Sequence, residues 1–494
     1  MLKAECALPM DASDVSDFAS AKAEVVRLRT LINYPPLGVS HTLKDFPEWI
    51  KLGCTEAAFN CPLALLPPKN SAPAWGATWA ADGKTPDKMP DLSGHDNHMT
   101  DVLKADPGIY DRLKNKVTKS GVTLAQCMKT GIDNVGHPAI KLVGLTACDE
   151  ECFETFAELF DPVISRRHGG YGKADKQPQE LIGDVDTILA GLSDIDIDPT
   201  GKYVRTTRVR TGRSVRGFKL PPSISFENRR KLEALIVKAL LTMDGDLKGD
   251  YFPLHGSRSY AAKPDGMTHK KEEELRSCGN LFQEPDSTLL LASGMARCWP
   301  DGRGVFHNDD SNLFVWVGEE YHMRIVSMQG DMNTACCDYK DGVGKRIKEV
   351  VARFIRACDV VGKVLKANGA DFMNNEHLGW VLTCPSNLGT GLRCGSMVTL
   401  PKVSARPDWR ALILAMRLQA RGKGGVDAEQ KGGLFDISNL DRIGKGEITL
   451  VNVLITGLAQ LVKWEMLYDD GKGDEADTQI KAYLATKEEK ASAK

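Results

Sequence analysis

The segment Thr206-Thr207-Arg208-Val209-Arg210-Thr211-Gly212-Arg213-Ser214 sets two arginines two residues apart. In a strand, side chains alternate with a period of two, so Thr206, Arg208 and Arg210 would share a face. Two guanidinium forks side by side can offer paired, charge-assisted hydrogen bonds to phosphoryl oxygens, which makes this face a candidate polyphosphate site. A solvated basic strand is the competing reading of two arginines alone.

Three further clusters carry chemistry of their own. Val315-Trp316-Val317-Gly318-Glu319-Glu320-Tyr321-His322-Met323-Arg324 places a carboxylate pair beside another arginine. A strand running from Glu320 would hold Glu320, His322 and Arg324 on one face, with Glu320 and Arg324 about 13 Å apart along it. Thr383-Cys384-Pro385-Ser386-Asn387-Leu388-Gly389-Thr390-Gly391-Leu392-Arg393 opens a small-residue loop with a thiol and closes it with an arginine. Its glycines let backbone N–H groups approach an anion, and Ser386 could hydrogen-bond a Cys384 thiolate and favour the charged form. Arg421-Gly422-Lys423-Gly424-Gly425-Val426-Asp427, read as following a helix, has the look of a mobile loop that could close over a substrate and deliver Arg421 to phosphate.

The elements that must position these residues divide the chain. Residues 1–88 mix Ala, Pro and acidic residues around the breaker Leu66-Pro67-Pro68-Lys69-Asn70-Ser71-Ala72-Pro73 and read as an extension. Apolar residues recur at three and four over Leu103–Leu113 and Asp149–Phe160, which predicts a small all-α unit within 89–180. An Asp- and Gly-rich stretch, 181–203, reads as a linker. From 204 to 494, strands such as Leu313–Val317 and Gly379–Thr383 alternate with helices at Glu227–Leu241, Lys345–Leu365, Trp409–Arg421 and Ile448–Leu467. The fold class is therefore α+β, a helical unit followed by a larger sheet-and-helix domain.

Composition narrows the function. A chain of 494 residues with 42% hydrophobic content can bury substantial cores. A net charge of −2 provides no broad basic field, so nucleic acid is not an expected partner. No apolar run approaches the roughly 20 residues of a membrane span. Thirteen cysteines without a regular framework, and no C-x-x-C, point to reduced thiols in an intracellular compartment. Neither a P-loop nor the protein-kinase H-R-D and D-F-G sets occur, so phosphate handling must rest on arginines.

The four clusters together resemble the phosphagen kinases, with wording nearest creatine kinase from Pro90 to the C-terminal helix. Matching stretches include Pro90-Asp91-Leu92-Ser93, Asn97-His98-Met99, Gly131-Ile132-Asp133-Asn134, Arg167-His168-Gly169-Gly170-Tyr171, Leu289–Arg297, Asn375–Gly379 and Phe435-Asp436-Ile437-Ser438-Asn439. The resemblance implies a small helical domain, a C-terminal domain on an antiparallel sheet flanked by helices, and an active site between them. It implies reversible transfer of the ATP γ-phosphoryl group to a guanidino acceptor, with ATP/ADP and Mg²⁺ and no nameable protein ligand for the metal. Arg208, Arg210, Arg324, Arg393 and Arg421 then look like the nucleotide-phosphate cage, joined by the segment Thr206, Thr207 and Val209, by the loop Gly422, Lys423, Gly424, Gly425 and Val426, and by Asp436 at its edge. Glu320 resembles the catalytic glutamate and Cys384 the reactive cysteine near the acceptor nitrogen.

Arginine kinases carry a second glutamate where this chain has Val426, which could pack against the N-methyl group of creatine together with Met128 or Ile132. Creatine is the expected acceptor, other guanidino compounds and a structural subunit being the alternatives. Where creatine kinases have two histidines on the nucleotide side, this chain has Gly279 and Met397, and it is longer over 251–280 and 328–372. The family includes monomers, dimers and octamers, so the extension is a candidate element for homo-oligomer or larger assembly. The expected location is the cytoplasm, with a mitochondrial or other intracellular assembly left open.

Overall fold

A computed structural model describes residues 83–492 apart from 138–139, 182–183, 258–266, 286, 331–346 and 423–432. Most of the extension, residues 1–82, and the loop residues Lys423, Gly424, Gly425 and Val426 therefore lie outside the described residues.

The helical unit comprises α1 (His98–Ala105), α2 (Gly108–Leu113), α3 (Leu124–Ile132), α4 (Cys152–Thr155) and α5 (Ala157–Arg167). The apolar periodicity read across 103–113 belongs to two helices. Pro107 caps the second, where it has no N–H to leave unpaired. Asn97 and Thr123 start α1 and α3 with reciprocal capping boxes to Thr100 and Gln126, satisfying otherwise orphaned N–H groups. The interior faces of these helices meet in one core that includes Met99, Leu103, Met128, Ile132, Phe156 and Phe160.

The segment read as a linker is structured in part. It carries α6 (Val185–Ala190), and Ile188, Leu192 and Ile197 pack into the core of the larger domain. There follow β1 (Val204–Arg213), α7 (Phe226–Leu240), β2 (Gly249–Pro253), α8 (His269–Ser277), α9 (Thr288–Ser293), β3 (Gly304–Asn308), β4 (Leu313–Val317), β5 (Met323–Gly330) and α10 (Ile347–Ala367). After the short pair β6 (Asn374–Asn375) and β7 (Gly379–Trp380) come β8 (Arg393–Thr399), α11 (Trp409–Ala415), β9 (Leu418–Arg421), β10 (Leu434–Asn439), α12 (Glu447–Asp469) and α13 (Gly473–Ser492).

Eight strands form one sheet in the order β2-β3-β4-β5-β1-β8-β10-β9, and every neighbouring pair is antiparallel. This is the α+β arrangement expected. One sheet face turns Val209, Ile325, Cys394, Val398 and Ile437 toward Ile236 of α7, Phe354 of α10 and Leu454 of α12. Burying each large side chain in this layer contributes roughly 1.5–3 kcal/mol. Of the described helices only α12 is apolar and long enough to cross a bilayer, and its Leu450, Leu454, Leu458 and Leu461 are spent on this core.

Two local expectations change. The helix read to Arg421 ends at Ala415, and the chain re-enters the sheet as β9, so Arg421 closes an edge strand. The strand read over Gly379–Thr383 is limited to Gly379–Trp380.

Candidate active site

The pairing register gathers the arginines. Gly212 stands opposite Arg324, Arg210 opposite Arg393, Met397 opposite Asp436, and Asp436 opposite Arg421. Residues directly opposite in a sheet share a face, and alternation along each strand adds Arg208 to it. Four strands and a fifth at the edge thus present Arg208, Arg210, Arg324, Arg393, Arg421 and Asp436 on the face turned away from the large helices.

Asp436 is the anionic centre of this face. Its Oδ2 accepts from Arg393 Nη2 at 2.7 Å and from Arg208 Nη2 at 3.1 Å, while Arg393 Nε donates to Ser438 Oγ at 3.0 Å. Burial works to raise the Asp436 carboxyl, but Arg393 and Arg208 outweigh it and hold the group below its ordinary value. Burial in turn pushes the Arg393 guanidinium down to about 10. The Arg210 guanidinium makes no hydrogen bond or ion pair among the described residues. Burial and the charges of Arg393, Arg208 and Arg324 drive its guanidinium well below the ordinary value. A cation so placed is stabilised by whatever anion enters beside it.

A cleft of about 670 Å³ opens over this face, lined by Arg210, Arg324, Arg393 and Arg421 on one side. Ile140, Leu142, Val143 and Leu145 from the helical unit line the same cleft. Glu320 and Cys384 line the same cleft. The backbone joins the two walls, since Ala147 N–H donates to Thr383 O at 2.7 Å.

Glu320 does not lie on a strand. The chain bends through 318–322 before β5 begins at Met323. Gly318 makes that bend with φ +75, where an added Cβ would meet Gly302 O at 2.6 Å. The bend folds Glu320 back, so that Arg324 Nη2 donates to Glu320 Oε2 at 2.8 Å instead of standing a strand length away. The same nitrogen is 3.1 Å from Glu319 Oε2. Burial, opposed by Arg324 and aided by Glu320, pushes the Glu319 carboxyl up to about 7. The Arg324 guanidinium also lies over the Trp316 ring at 5.5 Å and the Tyr321 ring at 5.2 Å. His322 faces away from the cleft. Its Nδ1 accepts from Val215 N–H at 2.8 Å and its Nε2 donates to Lys219 O at 2.9 Å, and burial lowers its pKa to about 4.

Cys384 Sγ and Ser386 Oγ are 3.0 Å apart. The serine lowers the thiol pKa as expected, but burial acts in the opposite sense and is larger, and Glu320 adds to it. The net shift is upward, which corrects the reading of Cys384 as a favoured thiolate.

Other expected site residues fall elsewhere. Met128 and Ile132 have no exposed surface and belong to the core of the helical unit, because the apolar stripe of α3 faces inward. The apolar wall of the cleft comes instead from the 140–145 segment, whose short apolar run carried no periodic signal. Val209 sits on the opposite sheet face in the large core, and Thr207 Oγ1 pairs with Ser396 Oγ at 3.0 Å. Thr206 is on the arginine face but wholly buried, its hydroxyl without a partner among the described residues. Gly422 is buried just beyond β9. Arg166, Arg167 and Arg442 line the cleft as well. They went unselected although Arg167 opens the Arg167–Tyr171 motif and Arg442 lies just past Phe435–Asn439. Met397 lies between Thr206 and Asp436 on the arginine face, and Gly279 follows α8 at φ +70, a conformation a histidine would adopt only with strain.

Comparison with known proteins agrees with this geometry. Residues 93–165 match the ATP:guanido phosphotransferase N-terminal domain, and residues 231–467 match the ATP:guanido phosphotransferase C-terminal catalytic domain. Creatine kinase M-type of Gallus gallus is 45% identical over 379 residues, covering 77% of this chain and 91% of that protein. The testis isozyme of creatine kinase from Oncorhynchus mykiss is 45% identical over 386 residues, covering 78% and 92%. Among solved structures, lombricine kinase is similar with a TM-score of 0.68 at 37% identity, covering 78% of this chain and 96% of that one. The substrate-free duplicated taurocyamine kinase from Schistosoma mansoni gives a TM-score of 0.64 at 31% identity, covering 76% of this chain and 47% of that one. With both domains matched and an arginine-faced sheet closing a cleft against a helical unit, the chain belongs to the ATP:guanido phosphotransferase family and is a phosphagen kinase.

Proposed function

We propose that creatine is the acceptor of this phosphagen kinase, which would transfer the γ-phosphoryl group of MgATP reversibly to the creatine guanidino nitrogen. The observation that carries this choice is that Ile140, Leu142, Val143 and Leu145 line the same cleft as Glu320 and Cys384. An N-methylated guanidine needs a carboxylate at its N–H edge and apolar contact at its methyl group, and this cleft offers both. Identities of 43–45% to creatine kinases support the same acceptor.

In this reading Arg210, Arg324, Arg393 and Arg421 hold the nucleotide phosphates and spread the charge of the transferred group, while Asp436 keeps Arg208 and Arg393 aligned. Phosphoryl transfer depends mainly on in-line positioning and on charge stabilisation of this kind. Glu320 orients the guanidine and takes the proton that must leave before the nitrogen can attack. Arg324 bonds Glu320 directly and so links the acid to the phosphate cage. Cys384 packs beside the acceptor nitrogen as a largely protonated thiol. Mg²⁺ would enter as part of the MgATP substrate, with Asp436, Glu319 and Glu320 engaged by arginines.

Lombricine or taurocyamine is the second reading, since solved structures of kinases for both resemble this chain. Purified protein assayed with MgATP and creatine, glycocyamine, taurocyamine, lombricine or arginine separates the two. The highest kcat/KM with creatine supports the proposal. A higher value with any other acceptor refutes creatine and leaves the reaction class in place.

A further inference from the structure

Three thiols that the transfer reaction does not use meet behind the acceptor wall. Cys127 on α3, Cys148 in the loop beyond the wall and Cys152 at the start of α4 keep 0%, 1% and 0% of their surface exposed. The Cys127 thiol donates toward Cys152 Sγ at 3.6 Å, and Cys148 N–H donates to the same sulfur at 3.4 Å. The Cys152 thiol donates to Asp149 Oδ1 at 3.1 Å. Asp149 is itself fixed by the hydroxyls of Thr118 and Ser120 and by Cys152 N–H. Cys152 therefore has a carboxylate in hydrogen-bond contact with its proton and two donors aimed at its sulfur, with a second thiol in contact; the donors favour the thiolate, and the charge of Asp149 opposes it.

We infer that Cys127 and Cys152 form a reversible disulfide when the protein meets hydrogen peroxide, and that this bond alters the acceptor side of the cleft. The Cys152 thiolate, its proton passed to Asp149, attacks one peroxide oxygen. The O–O bond breaks, and the departing hydroxide takes that proton and leaves as water. Cys127 sulfur then attacks the sulfur of the Cys152 sulfenic acid. The S–S bond forms, the S–O bond breaks, and the hydroxyl leaves as water with the Cys127 proton. Two thiols and one peroxide become one disulfide and two waters, the two electrons lost by sulfur reducing the peroxide.

Burial pushes both thiols up, which makes the site slow and selective for a small oxidant over a bulky disulfide. Thr146, two residues before Cys148, lines the cleft, so the thiols lie one short step of chain behind its surface. The same residues supply the coupling. Closing 3.6 Å to the roughly 2.0 Å of an S–S bond draws Cys127 toward Cys152. Cys127 O accepts from Thr146 N–H at 3.0 Å, Ala147 N–H donates to Thr383 O at 2.7 Å, and Thr383 Oγ1 donates to Glu320 O at 3.0 Å. A displacement at the thiols thus reaches Glu320 and Cys384 through three hydrogen bonds.

The test is peroxide treatment of the full chain, followed by mass spectrometry of a non-reduced digest and by kinetics with any guanidino acceptor that turns over. The expected result is a Cys127–Cys152 cross-link and a roughly tenfold change in acceptor KM or kcat, the size that a small displacement near a reacting centre produces. Dithiothreitol should reverse both. Cys127→Ser and Cys152→Ser should keep basal activity, form no such cross-link, and report after peroxide only what oxidation of Cys384 and other thiols contributes. If Cys127 and Cys152 stay reduced in wild-type protein at a dose that oxidises Cys384, the inference fails without reference to any variant. It fails equally if the cross-link forms but wild type and Cys152→Ser lose the same activity. Because any working acceptor serves, neither failure bears on the choice of creatine.

Discussion

Arg324 Nη2 lies 2.8 Å from Glu320 Oε2 and 3.1 Å from Glu319 Oε2, so a single guanidinium nitrogen ties both acids of the Glu319–Glu320 pair to the arginine-bearing face of the sheet. That contact makes the two acids and the arginine face one unit.

Arg324→Ala removes one transition-state charge partner and frees both acids. We expect kcat to fall by about 10²–10³-fold, the usual scale for one lost stabilising donor. Arg324→Lys should recover little, since a lysine lacks the planar guanidinium that lies over the Trp316 and Tyr321 rings and cannot offer paired N–H groups to a phosphoryl group. Steady-state kinetics of both variants check this, and near wild-type turnover in the lysine variant would count against it.

Glu319 should make stability fall as pH rises. Burial holds its carboxyl at about 7 in the folded protein against an ordinary 4.5, so the folded state keeps a proton that the unfolded chain has released. The stabilisation is complete below about 4.5 and is lost as pH climbs through about 7. Glu319→Gln, which cannot ionise, should flatten the profile. Melting temperatures from pH 5 to 8 provide the comparison, and parallel profiles for the two proteins would contradict the assignment.

Asp436→Ala leaves Arg208 and Arg393 without their shared carboxylate. Breaking a buried pair from one side costs about 3–5 kcal/mol, because the partner charges remain buried and uncompensated. Added MgADP or inorganic phosphate should therefore raise the melting temperature of the variant more than that of the wild type. Equal shifts in both proteins would show that the arginines do not need the aspartate.

Ser386→Ala removes the hydrogen bond that partly offsets burial at Cys384. The thiol pKa should rise further, and alkylation by iodoacetamide at fixed pH should slow. An unchanged alkylation rate would mean that the serine hydroxyl does not favour the thiolate.

Much of this site was readable from local pattern. The two-residue spacing of Arg208 and Arg210 fixes them on one side of any strand, and Leu313–Val317 is a strand in the structure with the bounds its apolar run implied. Arg421 was legible from the glycine-rich segment it opens, and Asp436 only through the family resemblance. Nothing local to either residue says that they face each other across β9 and β10.

The errors have a common origin. Met128 and Ile132 entered through the family resemblance as apolar partners for an N-methyl group, yet residue type alone cannot separate a cleft wall from a core. Packing decides that, and α3 turns those side chains inward. Glu320 was placed on a strand because the apolar pattern runs close to it. The bend at Gly318 instead depends on the chain passing against Gly302, a contact distant in sequence.

The sequence by itself determined the residue types and their local alternation: guanidinium pairs, a carboxylate pair, a thiol before a glycine-rich loop, and the helical and strand periods that carry them. Those follow from backbone geometry over a few residues. The tertiary structure alone decided that Arg210 faces Arg393, that Glu320 folds back onto Arg324, and that Cys127 meets Cys152 in one buried space. These relations arise from strand register and long-range packing, whose energies come from residues far apart in the chain and leave no mark in any local window.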